Sequence, residues 1–413
     1  MNSAQVERLR ASVVRRVILL AHRYVGFALV PFLVMLGLTG AFITFNAELE
    51  KAFSPQLFIA PRPGDTPLSL AALAQRAEAQ APEARLRYLI SRPDQAVARM
   101  EPRPAPAGQV REIDFDQLFL NPYSGAELGR RREGDLSQGL INLMPFVYRL
   151  HREFAAGPTG VLILGVVSLV WTVDCVFALY LTLPRTSVQF WRRWGRSWRI
   201  KKSRSSFRLN FDFHRAGSLW SWPMLAIFAW SGVMMNLNPV YDLVTRGLFD
   251  FEPFTEAIAS LPLHPNENPG LSWSEAEATG ARIMSEQAAL KGFSLGDPDS
   301  LGYVRSLGVF TYGAGSGLDI RRRSSDTSVW FDGDSGELRQ TFFPTGEHTG
   351  NTISGWLWAL HFGDIANFTP YRWLVCLLGL WVVGLSLTGM AVWLFKRHAR
   401  NSAHHFRPAG QLR

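Results

Sequence analysis

Long apolar runs alternate with polar segments along the 413-residue chain. A helix crosses a bilayer with about 20 mostly apolar residues, and four of the runs reach this length. The pattern therefore predicts four membrane-spanning helices, at about Val17–Phe45, Thr159–Leu183, Leu219–Leu237 and Trp373–Phe395. The first run is too long for a cleaved signal peptide, and no small-residue cleavage site follows it.

The two longest segments between the apolar runs have the pattern of mixed helix and strand. Helical periodicity occurs at Leu68–Gln80 and at Ser272–Leu290, where Ser274 is placed to cap the second helix. Short runs of strand-forming residues follow each helix, and Tyr303–Tyr312 is predicted to form one of these strands. We therefore expect each segment to fold as an α+β domain.

Basic residues are concentrated on one side of the predicted spans. The leader up to Arg23, the connection Pro184–Arg215 and the tail from Lys396 hold 20 of the 43 Lys and Arg residues, but two of the 34 Asp and Glu residues. Because Lys and Arg are enriched in cytoplasmic connections, both termini and this connection are predicted to be cytoplasmic. The basic run Trp191–Arg208 lies beside two spans, which favours contact with the lipid bilayer over nucleic acid.

The chain repeats the order of span, outer domain and span. His22 and His214 lie near the starts of the first and third spans, and a glycine follows each of them 18 residues later. His151 and His361 precede the second and fourth spans, and a tryptophan follows each of them 20 residues later. Since each half has two spans, the halves run in the same direction, and the axis relating them is expected to lie along the membrane normal.

The predicted fold is a membrane protein with a four-transmembrane-helix bundle, built from this tandem repeat, and two outer α+β domains. The expected parts are a leader with the first span (1–45), an outer domain (46–148), a second span (149–183), a basic connection (184–213), a third span (214–237), an outer domain (238–354), a fourth span (355–397) and a tail (398–413).

The four repeat-matched histidines predict two metal sites at different depths. A two-fold axis brings His22 opposite His214 near the cytoplasmic face, and His151 opposite His361 near the outer face. Two neutral imidazoles hold the iron of a b-type haem without any cysteine ligand. We therefore predict two bis-histidine haem b groups, each in an apolar slot of the bundle.

Other residues near these histidines leave alternatives open. Arg23, Arg152 and Arg215 each follow a histidine, and they are interpreted either as partners of haem propionates or, on the cytoplasmic side, as ordinary topology-setting charges. His398, just past the fourth span, is an alternative cytoplasmic-side ligand. Asp174 is ionisable and lies within the second span; it either handles protons or a quinol, or bonds to a neighbouring helix.

No motif for a nucleotide cofactor accompanies the histidines. The chain has no G-x-G-x-x-G fingerprint after a strand and no P-loop. The cytoplasmic connection, of about 30 residues, is too short for a flavin or nicotinamide domain. Electrons are therefore expected from the membrane quinol pool or from another protein, such as a cytoplasmic reductase.

The order of these motifs resembles that of the PepSY-associated transmembrane family, especially its inner-membrane ferrisiderophore reductases. The likeness rests on His-Arg at the start of the first span and on four further motifs, Leu38-Thr39-Gly40, Leu150-His151-Arg152, Asp212-Phe213-His214-Arg215 and Leu360-His361-Phe362-Gly363. The resemblance implies a bacterial inner-membrane protein with two periplasmic PepSY-like domains. It also implies b-type haem, with ligation carried over to His22, His151, His214 and His361.

The resemblance further implies an oxidoreductase that reduces iron(III) in a periplasmic ferric siderophore and thereby releases the iron. No motif indicates which residues contact the siderophore. Two alternatives remain at this point. One is a PepSY-type binding or regulatory membrane protein whose spans serve mainly as an anchor, and the other is a permease without redox activity.

Overall fold

The computed structural model describes residues 3–62, 64–104, 112–321, 325–365 and 368–405, with side chains between residues 12 and 398. The chain divides into two compact units. We call the first the helical unit; it comprises the residues up to Thr44, Leu150–Tyr241 and those from Trp373 onward. The second, the sheet unit, comprises Phe45–Arg149 and Asp242–Arg372.

Four long helices dominate the helical unit. They are α1 (Ser3–Ile43), α5 (Gly157–Thr182), α7 (Ser206–Asn236) and α12 (Pro370–His405), and a short helix, α6 (Phe190–Trp194), lies in the basic connection. Among the described residues, three stretches are long and apolar enough to cross a membrane: Ser12–Ile43, Gly157–Thr182 and Pro370–His398. Helix α7 has 31 residues but falls outside this group because polar side chains and Pro223 interrupt its apolar run. The predicted third span, Leu219–Leu237, lies within α7 and therefore stays a prediction.

Helices α1 and α12 approach each other closely at a pair of glycines. A Cβ atom placed on Gly37 would lie 2.6 Å from the carbonyl oxygen of Gly379, and one placed on Gly379 would lie 2.7 Å from the carbonyl oxygen of Gly37. Side-chain atoms do not come so close to backbone oxygens, so this crossing requires glycine on both helices. Small residues at such crossings let membrane helices pack backbone against backbone.

One antiparallel sheet of eight strands forms the centre of the sheet unit. Its order is β4-β3-β2-β1-β5-β6-β7-β8. The strands are β1 (Ala84–Arg92), β2 (Gln95–Pro102), β3 (Gln117–Leu120), β4 (Glu127–Arg131), β5 (Leu295–Val304), β6 (Val309–Ser316), β7 (Ser328–Asp332) and β8 (Leu338–Phe342). The sequence predicted two separate domains, whereas β1 pairs directly with β5 and joins the two sets of strands into one sheet.

Two helices cover one face of this sheet, α3 (Leu70–Gln80) and α10 (Trp273–Lys291). Their apolar sides pack on a core that includes Leu73, Leu86, Leu89, Leu118, Phe310 and Phe331. The carboxylate of Glu277 on α10 accepts hydrogen bonds from the backbone N–H groups of Leu70 and Ala71, both at 3.0 Å. An acid from the second half thus satisfies the free donors at the start of the helix in the first half.

Two local predictions in the second half were wrong. Ser272, not Ser274, caps α10, and it forms a capping box with Glu275. The predicted single strand Tyr303–Tyr312 is instead the end of β5, a turn and the start of β6. Gly308 in that turn has a φ angle of +65°, a conformation that favours glycine and lets the chain reverse there.

His151 and His361 were predicted to precede the second and fourth spans. Each of them lies near the end of a short helix that comes before the span. Helix α4 (Leu143–Glu153) ends just before α5, and α11 (Thr349–Phe362) ends just before α12. Phe154 and Ala155 both have a φ angle of +53° in the first break. Other short α-helices in the described part of the chain are α2 (Asn46–Phe53), α8 (Asn238–Leu248) and α9 (Phe254–Ala259).

Replacing Gly379 tests the crossing of α1 and α12. We expect Gly379→Ala to destabilise the protein by about 1–3 kcal/mol, because its methyl group must displace the backbone of α1. Thermal unfolding in detergent measures this loss. Gly384→Ala is the matched control on the same helix, since nothing lies within 4 Å of its Cβ position; equal destabilisation by both variants would contradict the close crossing.

His348, which precedes α11, gives the sheet unit a pH-dependent contact. Its Nδ1 lies 2.9 Å from Asp250 and its Nε2 lies 3.3 Å from Glu252. The hydrogen bond to Asp250 raises the pKa of this imidazole above its ordinary value. Because the raised pKa belongs to the folded state, the contact stabilises the fold below about pH 6.5 and is lost as the pH rises through the raised value.

We expect His348→Gln to speed local opening of the segment around Asp250 at acidic pH and to have little effect at alkaline pH. The contact is partly exposed, so the change in opening free energy should not exceed about 1 kcal/mol. Hydrogen–deuterium exchange of this segment, corrected for the intrinsic effect of pH, measures it. His264→Gln, at another exposed histidine of the sheet unit, is the control; the same effect of His348→Gln at both pH values would refute the ion pair.

Candidate functional site

His22 and His214 face each other inside the helical unit. His22 lies on α1 and His214 on α7, and their ring centres are 6.4 Å apart with an angle of 37° between the ring planes. The structure therefore brings together the pair that was predicted for the cytoplasmic side. The two residues come from positions 192 residues apart in the chain, which supports the pairing of repeat-matched histidines across the two halves.

The Nδ1 atom of each of these histidines is held by a hydrogen-bond acceptor. For His22 the acceptors are the carboxylate oxygens of Asp174 on α5, at 2.9 and 3.1 Å. For His214 they are the backbone oxygen of Leu385 at 3.1 Å and the hydroxyl of Thr388 at 3.2 Å, both on α12. A neutral imidazole that donates from Nδ1 keeps its lone pair on Nε2, the form that binds a metal.

His151 is held in the same way within the helical unit. Its Nδ1 lies 2.9 Å from the hydroxyl of Thr39, which itself donates to the backbone oxygen of Met35 at 2.7 Å. The hydroxyl is thus left to accept from Nδ1, and Nε2 again carries the lone pair. A Cβ atom on Gly40 would lie 3.1 Å from the ring carbon Cε1 of His151, so the absence of a side chain there makes room for the ring.

His361 belongs to the sheet unit, near the C-terminal end of α11. Its ring lies 5.9 Å from that of Phe362, measured between centres. His151 and His361 fall in different units, and their pairing stays a prediction from the repeat.

A cavity in the helical unit surrounds His22 and His214. The cavity has a volume of about 210 Å³ and is partly open, and its walls come from α1, α5, α7 and α12. Most of the lining is apolar, and it includes five aromatic side chains, Phe27, Trp171, Phe211, Trp222 and Trp393. A mostly apolar cavity with a few convergent polar groups is typical of a ligand or cofactor site.

The spacing of the two imidazoles fits a single metal between them. Imidazoles that bind one metal from opposite sides, each at about 2.0–2.1 Å, have their ring centres roughly 6 Å apart. The observed 6.4 Å agrees with this arrangement. Among the described residues, no group of three or more His, Cys, Asp and Glu side chains is placed to hold a metal.

The arginines that follow the histidines have different surroundings. Arg23 lines the cavity. Arg215 bonds to Asp212 at 2.8 Å and to backbone oxygens of the basic connection, and its guanidinium lies over the ring of Phe211. Arg215 therefore links α7 to the basic connection. Arg152 pairs with Glu153 at 2.8 Å.

Several residues that build this site could not be predicted from the sequence pattern. Lys396 lines the cavity, and its amino group lies over the ring of Phe211. Thr388 and Gly389 contact His214; a Cβ atom on Gly389 would lie 2.9 Å from Cε1 of the ring. The signal available in the sequence was weak, since a threonine and a glycine within an apolar helix have no preferred interpretation without a known neighbour.

His398, the alternative ligand, is exposed and is not among the described residues that line the cavity. Asp174, by contrast, lines it and contacts His22 directly. Of the interpretations left open for Asp174, the structure therefore displays a bond to a neighbouring helix, and that bond ends on a candidate ligand.

Comparison with known proteins places the whole arrangement in one family. The family model for the PepSY-associated TM region matches residues 19–396 of the chain. This match includes the sheet, the four histidines and most of each long helix. No curated protein matches the chain. The chain is thus a membrane protein of the PepSY-associated TM region family.

Proposed function

We propose that the protein conducts electrons across the bacterial inner membrane through two b-type haems and reduces a ferric siderophore in the periplasm. The observation that carries this proposal is the pair His22 and His214, facing each other in one cavity with both Nδ1 atoms engaged. Electron transfer suits two ligands held rigidly from opposite sides, because the metal then needs no change of coordination.

In this proposal the helical unit supplies both ligands and their orientation at the inner site. The Nε2 atoms of His22 and His214 would hold the iron, and a bound haem would supply a one-electron redox centre. Asp174 on one side and the oxygens of Leu385 and Thr388 on the other keep the imidazoles in the ligating tautomer.

The lining of the cavity provides the remaining requirements of such a site. Its aromatic and aliphatic side chains keep water away from the porphyrin face, and they contribute the apolar contact that a haem needs. Arg23 and Lys396 bring two positive charges to the same cavity. We assign them to the negatively charged propionates, because a charge-assisted hydrogen bond to a carboxylate is among the stronger polar contacts.

The proposal for the outer site rests on the sequence positions of two histidines and on the structure around one of them, His151. His151 has the same held Nδ1 as the inner histidines, and His361 is its counterpart in the repeat. We propose that these two residues hold the second haem. This arrangement requires the four-span tandem repeat and the periplasmic location of the sheet that were predicted from charge and hydropathy.

The proposed substrate comes from the family resemblance, and iron chemistry explains why reduction would release the metal. Siderophores bind iron(III) through hard oxygen ligands, and iron(II) binds such ligands less well, so one-electron reduction would release the metal. The donor is assigned to the membrane quinol pool or to a cytoplasmic reductase, because the cytoplasmic segments have no nucleotide-binding motif.

Optical spectroscopy of the purified full-length protein tests the haem assignment. We expect a sharp Soret band, split α and β bands on reduction, and about two haems per chain. His22→Ala and His214→Ala should each lower the haem content to about one per chain, and His151→Ala and His361→Ala should remove the other haem. His264→Ala is the control and should keep both haems.

A colourless protein that is folded would overturn this proposal and favour a binding module or a permease. A different result would correct only the pairing: if His214→Ala keeps both haems while His398→Ala loses one, the inner ligand on that side is His398.

Anaerobic mixing of the reduced protein with a ferric hydroxamate siderophore tests the reaction. We expect the reduced α band to disappear as electrons pass to iron(III), and the released iron(II) to be trapped by a ferrous chelator. The gallium(III) complex of the same siderophore is the control, since gallium(III) does not accept an electron under these conditions. Retention of the reduced band with the ferric complex would show that the acceptor belongs to another class.

A further inference from the structure

The two imidazoles of the inner pair have unequal partners. Behind His22 stands a carboxylate, Asp174, with both oxygens within hydrogen-bond distance of Nδ1. Behind His214 stand neutral acceptors, the backbone oxygen of Leu385 and the hydroxyl of Thr388. The bonds are otherwise alike, because in each half the histidine of one long helix bonds to the other long helix of the same half.

The repeat does not account for this carboxylate. Asp174 lies 23 residues after His151, and the residue 23 positions after His361 is Gly384. The side chain of Asp174 is 10% exposed, and it is the one acidic group among the described residues that line the cavity. An ionisable side chain within a membrane span is costly unless it is paired, so its presence in only one half points to a task in that half.

We propose that Asp174 is a positioning residue, which aims Nε2 of His22 at the haem iron and places a negative charge behind this one ligand. The inference rests on the proposed function and assigns to this chain's own carboxylate the redox tuning of the inner site. It differs from the interpretation of Asp174 as a quinol-binding or proton-carrying group, because it assigns the carboxylate to the orientation of His22.

The physical reason is electrostatic. A carboxylate that accepts the Nδ1–H bond makes the imidazole a stronger donor to the metal. Groups that hydrogen-bond to a metal ligand in this way commonly affect metal affinity about 10–100-fold. A fixed negative charge in a medium of low dielectric constant also stabilises the more positive, oxidised iron. Both effects lower the reduction potential of the inner haem. Arg23 and Lys396 line the same cavity and act in the opposite direction, so the contribution of Asp174 must be isolated by substitution.

Three substitutions in the full-length holoprotein separate charge from position. Asp174→Asn keeps the size and an acceptor oxygen but removes the charge, Asp174→Glu restores the charge, and Asp174→Ala removes both. Thr172→Val is the control on the same helix, because the hydroxyl of Thr172 bonds to the backbone oxygen of Ser168 in its own helix. Redox titration followed at the α band, at one fixed pH, measures the two reduction potentials of each variant.

We expect Asp174→Asn to keep both low-spin haems and to move one of the two potentials to a more positive value, while the other potential stays in place. Asp174→Glu should move that potential back towards the wild-type value, and Thr172→Val should leave both unchanged. In Asp174→Ala the ring of His22 loses its anchor, so we expect roughly 10–100-fold weaker binding of one haem, seen as its loss during dilution or as high-spin absorption.

The outcomes distinguish this inference from the proposed function. Two low-spin haems in the wild-type protein, together with unchanged potentials in Asp174→Asn, would leave the electron conduit standing and overturn the role of Asp174. Equal shifts in Asp174→Asn and Asp174→Glu would also overturn it, because a general disturbance of packing then explains both. A wild-type protein without haem would overturn both proposals.

Discussion

The arrangement of the helical unit depends on one requirement, that the N–H group of an imidazole placed inside an apolar bundle must find an acceptor. His22, His151 and His214 each meet it with Nδ1, through Asp174, Thr39 and the pair Leu385 and Thr388. An unpaired donor in such surroundings would cost about 1–3 kcal/mol, so these bonds fix the ring orientation and the tautomer together. The same bond that satisfies the polar group therefore leaves the lone pair on Nε2, which is the form of the ring that can bind a metal.

Two glycines restrict the orientation of the His151 and His214 rings further, because each packs against the Cε1 edge of its ring. A Cβ atom on Gly40 would approach Cε1 of His151, and one on Gly389 would approach Cε1 of His214, to about 3 Å. Each ring is thus bonded at Nδ1 and closely packed at Cε1 against a helix backbone. A ligand held in this way loses little rotational freedom when it binds a metal, which is the preorganisation that a rigid electron-transfer site requires.

Features set by periodicity and spacing could be predicted from the sequence. Contacts that depend on residues distant in the chain could not. The pairing of His22 with His214 followed from equal spacing within the two halves, because a duplicated chain places matched residues around an axis. The pairing of β1 with β5 in one sheet could not be predicted, because the sequence of a strand does not specify a partner strand about 200 residues away. Thr388 and Gly389 were missed for the same reason: each acquires its role only from the ring packed against it. Ser272 was missed although its signal was present, because the glutamate three residues later completes a capping box.

Matched positions in the two halves of the chain have different hydrogen-bond partners. The inner histidines keep equivalent places in the two halves, yet one donates to a carboxylate and the other to a carbonyl and a hydroxyl. In the sheet unit, likewise, Glu277 of the second half accepts hydrogen bonds from the first turn of α3, whereas Glu275 of α10 itself forms the capping box with Ser272. A strictly symmetric pair of halves would give both ligands the same electronic character. In the proposed function a metal would constrain the two histidines but not their hydrogen-bond partners, so the partners are where the two sides of the site can differ.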